Sequence, residues 1–377
     1  MSSRKTAWLE AAWVFLSSRL AILLISAVAI FRIQPPALAD YWLSWRHWDV
    51  YSYIGVAVQG YSQLRNTVFF PLWPLLLRGT GMILGGSLDA YYIAGLLLAN
   101  LFFYFALVIF YRLLSEHFDS SAARNALFYL AFSAYAIFFF VGYTEALFLF
   151  LSLAAFWSLQ HARYWLAGCC GFLVALTHSQ GVILLVPFAV VILQRFWPRK
   201  GEHVNWRQLL GASLPLVLIP AGVVVFMLYL GITKHDPLAF SAAEAQFWQR
   251  RLTFPLWSVI LTCQTFFQPA VAAIHLMNAV DLIFILAPLA ILIVGWKHLP
   301  LHYALYALCM ILFNLSYPQA TGEPLTAAPR YMLLVFPVFI ILGKWSKHPR
   351  VERVITICSL PMFALNILLY VNHLWIA

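Results

Sequence analysis

The sequence predicts an all-α, polytopic membrane protein, and three observations predict it. Hydrophobic residues fill 63% of the 377 positions, charged residues only 10%, and long windows carry no charge at all. A typical soluble domain is about 25% charged, and a soluble fold needs a polar outer face that this composition cannot supply. Soluble enzymes, nucleic-acid binders and disordered scaffolds are excluded on that ground. The whole chain, residues 1–377, reads as one domain without internal repeats. Arg4 and Lys5 precede a long apolar stretch with no small-residue cleavage site, so the start does not read as a cleavable signal. The five cysteines, Cys169, Cys170, Cys263, Cys309 and Cys358, have apolar neighbours and no metal-ligand spacing, and they read as buried small residues.

Taken in order, the charge-free windows give the elements, because about 20 apolar residues cross the hydrocarbon as a helix. The first span is 8–31, interrupted by Arg19. Uncharged runs of 22 residues between Asp89 and Arg112, and of 20 between Arg124 and Glu145, give two more. The 31 residues between Arg163 and Arg195 are too long for one span and break at Thr177-His178-Ser179-Gln180-Gly181. Further spans fall at 146–160, 207–230, 277–296, 300–317, 329–343 and 352–375. The expected total is about 11. The stretches 68–86 and 254–270 carry prolines and tryptophans and read as interfacial or re-entrant helices.

The positive-inside rule orients this arrangement. With the N-terminus cytoplasmic, inner loops hold 14 Lys and Arg against 8 outside, leaving Arg19 inside the first span. The net charge of +10 then follows from topology, with RFWPRKGEHVNWR (195–207) facing the headgroups as the most basic inner loop, and no nucleic-acid partner is called for. Three outer segments are long and rich in polar groups: 32–67, 231–253 and 317–330. Segments longer than connection requires are where function concentrates. In the first, Asp40, Asp49, Arg46 and His47 sit among aromatics. Asp49 there is either the helix cap of an interfacial loop or a general base beside a lipid-linked substrate.

Residues 45–76, WRHWDVYSYIGVAVQGYSQLRNTVFFPLWPLL, resemble the signature of PIG-V-type mannosyltransferases, through Arg46, Trp48, Asp49, Tyr53, Ile54, Ala57, Gly60, Tyr61, Phe69, Phe70, Pro71, Leu72, Pro74 and Leu75. The resemblance continues in order with GYTEALFLF (142–150), PLAFSAAEAQFWQRR (237–251) and APRYMLLVFP (328–337). One departure stands out: His178-Ser179-Gln180-Gly181 occupies the place of an R-x-x-G element of many relatives, and no role is carried over from that Arg. The resemblance implies a GT-C-like bundle that takes a sugar, usually mannose, from a polyprenyl-phosphate donor on the outer or lumenal side, with an acid of the first outer loop essential. The site would face away from the cytoplasm, in the plasma membrane of a bacterium or the endoplasmic reticulum of a eukaryote. The acceptor would be a glycolipid or another membrane-associated molecule.

An inverting transfer to a hydroxyl needs one base, since the leaving group is already a phosphate. Asp49 is the expected base, with Asp40 in reserve and with Arg46 and His47 expected to hold Asp49 ionised; on a helix Arg46 and Asp49 would share a face at i, i+3. Arg250, Arg251 and Arg330 are the candidate phosphate ligands, because the guanidinium fork donates two hydrogen bonds at once. Lys234 and His235 are weaker candidates. Tyr53, Tyr61, Gln246, Trp248 and Tyr331 are candidates to line a sugar pocket, and Glu145 joins them through its matching block. Asp281 reads as a first-turn acid, and His298 and His302 lack the Glu of a zinc-protease motif. No metal or cofactor is expected, and no GxGxxG, Walker loop or DxD occurs. The rival reading is a lipid-linked-sugar transporter or flippase, favoured by Arg19 and the break at 177–181, and a third is a non-catalytic subunit.

Overall fold

A computed structural model describes residues 3–33, 38–197, 205–320 and 322–376, without the side chains of Ser3, Arg4, Ile33, Leu38, Ala39 and Asp40. The reserve base Asp40 therefore lies outside the described side chains, and Arg199 and Lys200 of the basic loop lie outside the described residues.

The described chain is helical, its one β feature being a single antiparallel bridge between Arg250 and Gln319. In order the helices are α1 (Ser3–Ile33), α2 (Leu38–Leu43), α3 (Asp49–Gln59), α4 (Leu72–Ile83), α5 (Leu88–Ser115), α6 (Ser120–Ala131), α7 (Glu145–Gln160), α8 (Tyr164–Thr177) and α9 (Leu185–Phe196). There follow α10 (Trp206–Ser213), α11 (Leu218–Lys234), α12 (Ala239–Phe247), α13 (Leu256–Thr265), α14 (Ala272–Gly295), α15 (Leu301–Leu315), α16 (Ala328–Tyr331), α17 (Phe336–Trp345) and α18 (Pro349–Val371). Six helical stretches are long and apolar enough to cross a membrane: Lys5–Arg32, Leu88–Ser115, Ser179–Phe196, Trp206–Lys234, Ala272–His298 and Pro349–Val371. The expected span at 329–343 falls in two helical pieces, Ala328–Leu334 and Phe336–Trp345, that meet at a bend of 72°. The expected spans at 146–160 and 300–317 are shorter apolar helices, Glu145–Gln160 and Leu301–Leu315.

The expected span between Arg124 and Glu145 is not one helix. α6 stops at Ala131, and an irregular stretch with a 3₁₀ turn at Ala136–Phe139 runs on to α7, buried almost throughout. Non-helical backbone is tolerated at membrane depth only when protein satisfies its polar groups, and here protein does so. Asn100 donates to the Phe140 carbonyl at 3.0 Å, Asn366 to that of Ala134 at 2.9 Å and Ser359 to that of Phe132 at 2.7 Å. Arg19 donates to the Phe139 carbonyl at 2.8 Å and to Asn100 Oδ1 at 2.8 Å, with its guanidinium 4.3 Å from the Phe103 ring centre. The charge inside the first span is thus an internal pin for this stretch.

The expected break at 177–181 is present: α8 ends at Thr177, a 3₁₀ turn covers Ser179–Leu184, and α9 follows. A Cβ on Gly181 would lie 2.5 Å from the Ala175 backbone nitrogen, so the fold-back requires glycine. Two readings are corrected. Asp281 sits in the body of α14, not its first turn, and is buried. Cys169, Cys263 and Cys358 face outward rather than inward, and the cysteines are free thiols.

Candidate active site

Three chain stretches distant in sequence meet at one place, and each arrives as a helix N-terminus or just beside one. Asp49 is the first residue of α3 and Glu145 the first of α7, positions where the helix dipole favours a carboxylate. Gly142 lets the turn before Glu145 press on α5, since a Cβ there would lie 3.3 Å from Gly95 Cα. Arg330 comes from the short α16.

Arg330 ties the acids together. Its Nη1 donates to Asp49 Oδ2 at 2.8 Å, its Nη2 donates to the Tyr331 hydroxyl at 3.0 Å, and its Nε lies 3.0 Å from Glu145 Oε1. The last is an ion pair without hydrogen-bond alignment. The guanidinium carbon sits 4.9 Å from the Tyr331 ring centre, 5.1 Å from that of Tyr143 and 5.4 Å from that of Phe138, an aromatic cage for a cation. Side-chain exposure falls from 20% at Asp49 to 6% at Arg330 and 2% at Glu145. Asp49 is therefore the member that faces open space, and Glu145 anchors the guanidinium from behind.

That open space is a cavity of about 360 Å³ whose wall includes Asp49, Tyr53, Trp248, Arg250, Arg330 and Tyr331, together with His178, Glu244, Glu323, Thr326 and Trp375. All three segments singled out by their polarity, and expected on the outer side, contribute to it. The second and third are clipped together: Arg250 bridges to Gln319, the Ala320 amide donates to the Gln249 carbonyl at 3.0 Å, and Arg250 Nη2 donates to the Thr326 carbonyl at 2.6 Å. Burial raises the Glu244 pKa, opposed by Arg250, and burial raises that of Glu323. Among the described non-glycine residues with positive φ, Ala327 lies on this wall, and Trp48 and Gln249 immediately precede the wall residues Asp49 and Arg250. Such backbone conformations store strain, and strain of this kind clusters at functional sites.

Several expected partners stand elsewhere. Arg46 does not reach Asp49: because Trp48 turns left-handed, α3 begins only at Asp49, and Arg46 instead pairs with Asp89 at 2.7 Å. His47 packs its ring 3.9 Å from that of His373, away from the cavity; burial, then the neighbouring imidazole, lowers its pKa from 6.5 to about 4. Tyr61 donates to the Phe69 carbonyl at 2.7 Å and lines a separate apolar cavity. Gln246 is exposed outside the cavity walls, and Arg251 lines a neighbouring groove. Lys234 reaches the Ser62 carbonyl at 3.4 Å. Sequence reasoning missed His178, Glu244, Glu323 and Trp375. Glu244 was within reach, as the acid inside AAEAQFW. Among the described residues, no three His, Cys, Asp or Glu side chains come together as a metal-holding group.

The helical architecture, with six stretches long and apolar enough to cross a membrane, defines the class as a polytopic membrane protein, and comparison supplies the family. The sequence profile of the mannosyltransferase (PIG-V) family matches residues 33–242, more than half of the chain. The chain belongs to this family. The GPI alpha-1,6-mannosyltransferase 2 of Rattus norvegicus is 34% identical over 144 residues, 36% of this chain, and that of Mus musculus is 34% identical over 146 residues, 37% of this chain. The chain spans 29% of the length of each of these relatives. Among solved structures, the oligosaccharyltransferase of Archaeoglobus fulgidus with zinc and sulfate aligns with a TM-score of 0.48 at 17% identity, over 95% of this chain and 53% of that one. The same enzyme with an inhibitory peptide and a dolichol-phosphate aligns with a TM-score of 0.45 at 15% identity, over 95% of this chain and 54% of that one.

Proposed function

We propose that the protein transfers mannose from a polyprenyl-phosphate donor to a hydroxyl of a glycolipid or other membrane-associated acceptor, with inversion, on the non-cytoplasmic face. The observation that carries this reading is the pairing of Asp49 with Arg330 on the wall of the cavity where the three outer segments meet. A base and a phosphate-binding cation stand side by side there, and the family supplies the sugar chemistry.

The donor phosphate competes with Asp49 for Arg330 and is held on its other side by Arg250. Displaced from its ion pair, Asp49 becomes a free carboxylate. The acceptor oxygen attacks the anomeric carbon, the bond from that carbon to the phosphate oxygen breaks, and the acceptor proton passes to Asp49. Polyprenyl phosphate leaves as the anion, stabilised by guanidinium groups placed in advance. Glu145 acts on Arg330 as a positioning residue. A transporter reading loses one support, since Arg19 is bound to Asn100 and a backbone carbonyl inside the protein.

The test is a transfer assay in nanodiscs with polyprenyl-phosphate mannose. Asp49→Asn preserves size and hydrogen bonding, and transfer is expected to fall about 10²–10⁴-fold with lipid binding retained. Asp40→Asn serves as the milder control. Turnover of Asp49→Asn within a few-fold of wild type would remove Asp49 as the base, and movement of lipid-linked sugar across vesicles without transfer would favour the flippase.

A further inference from the structure

Asp49 enters α3 through a turn that its sequence does not favour. The Val50 amide donates to the His47 carbonyl at 3.0 Å, closing a four-residue turn over His47-Trp48-Asp49-Val50. Trp48 has φ 46° and ψ −116°, the conformation of the first central position of a type II′ turn. Glycine normally fills that position, because a side chain there is crowded. A tryptophan holds it only where its surroundings outweigh its own preference.

Those surroundings come from α18 and the residues after it. Beyond its chain neighbour His47, the Trp48 ring packs against Tyr370 and Trp375. The Tyr370 ring centre lies 4.9 Å away at 71° and that of Trp375 5.4 Å away at 79°, both edge-to-face. Each of these rings is itself tied down. The Tyr370 hydroxyl donates to the Trp45 carbonyl at 3.3 Å, and Trp375 Nε1 donates to Thr326 Oγ1 at 3.3 Å. A left-handed cap on α18 turns the chain back to this place. His373 has φ 62°, its amide donates to the Tyr370 carbonyl at 3.1 Å, and the Leu374 amide donates to the Leu369 carbonyl at 3.0 Å.

We propose that Trp375 is a positioning residue for Asp49: with Tyr370 it pins the Trp48 ring, and so holds the strained turn that sets the carboxylate against Arg330. Asp49 Oδ2 receives Arg330 Nη1 at 2.8 Å from the first residue of α3. A relaxed Trp48 would swing the start of that helix, and the carboxylate with it. The inference rests on the reading of Asp49 as the base and adds to it the residues that aim it.

Trp375 also lines the cavity, so the experiment separates bracing from contact with substrate. In nanodiscs holding the full chain, hydrogen exchange without substrate reads the start of α3, and a transfer assay with polyprenyl-phosphate mannose gives kcat and KM. Trp375→Ala is expected to speed exchange at residues 49–53 about tenfold and to lower kcat by a similar factor, with KM changed less than about twofold. The discriminating background is Trp48→Gly, because glycine adopts this turn without being held. There, removing the Trp375 ring is expected to change exchange and kcat by less than about twofold. Trp375→Phe keeps a ring and is expected to recover most of both losses; should Trp48→Gly fail to fold, recovery of slow exchange decides. An equal loss of kcat in both backgrounds, or a rise in KM, would make Trp375 a substrate contact. Unchanged exchange in Trp375→Ala would mean that the turn stands unaided. Either result overturns the proposal. A wild type that transfers no mannose would instead bring down the functional reading, while exchange at α3 still tests the brace.

Discussion

Arg330 is held by two carboxylates and a phenol at once, and that arrangement sets what its loss does. Removing one partner of a buried ion pair leaves the other charge stranded, at about 3–5 kcal/mol. Arg330→Ala is therefore expected to lower the thermal unfolding temperature markedly as well as abolish transfer, because Glu145 is left buried alone. Arg46→Ala breaks a pair whose partner Asp89 is 72% exposed, so a stability change of at most about 1 kcal/mol is expected, with near-normal transfer. Unfolding scans and transfer rates on the two variants check both. His47 gives a pH dependence. Its pKa in the fold, about 4, lies below its ordinary 6.5, so the unfolded chain binds the extra proton first. The stability it contributes is complete above pH 6.5 and is lost as pH falls from 6.5 through 4. His47→Gln is expected to flatten that part of the unfolding profile. At this scale Asp49, Tyr53, Trp248, Arg250, Arg330 and Tyr331 were legible in the sequence as cavity residues. Arg46 was misread because i, i+3 spacing presumes a helix, and the left-handed Trp48 delays the helix until Asp49.

At the scale of elements, the break between α8 and α9 builds part of the cavity wall. His178 stands there, its ring 5.2 Å from that of Tyr331. Gly181→Ala drives a methyl into the α8 backbone and is expected to destabilise by about 1–3 kcal/mol. Gly55→Ala on α3, where nothing lies within 4 Å, is expected to be neutral or stabilising by up to about 1 kcal/mol. Equal unfolding temperatures for the two variants would contradict the close packing at the fold-back. Charge-free windows located the long helices because lipid-facing segments must be both apolar and helical. The same rule failed at 132–144, where absence of charge reflects burial in protein, and side chains from α5 and α18 satisfy a backbone that no lipid touches. Local pattern has no means of registering partners that far away in the chain.

For the whole molecule, convergence of the three outer segments on one cavity requires them to share a side of the membrane, and the basic loop near residue 200 is expected on the other. Single cysteines at 245 and 323, in a chain stripped of its five native thiols, are expected to react with an impermeant reagent in sealed cells, and one at 200 to stay protected. Labelling at 200 with protection at 245 and 323 would invert the orientation. The three polar segments pointed to the cavity from sequence because so few charges exist in this chain that each cluster stands out. The shape of the cavity was not legible there, since it arises from the bridge at Arg250 and Gln319 and from a fold-back that only three-dimensional packing creates.

The Arg19 pin has a consequence for how the chain is made. A guanidinium at the centre of a spanning helix opposes membrane insertion by about 2.5–3.5 kcal/mol. Its carbonyl partner at Phe139 lies 120 residues later. At about 5–20 residues per second of synthesis, the interval before that partner emerges is between about 6 and 24 s. Until Asn100 and then Phe139 have been made, α1 carries a charge without these partners, which only the insertion machinery or a locally thinned bilayer can accommodate. Slow codons between positions 33 and 139 would lengthen that exposure, and the yield of inserted protein should respond to synonymous changes there that leave the finished molecule identical.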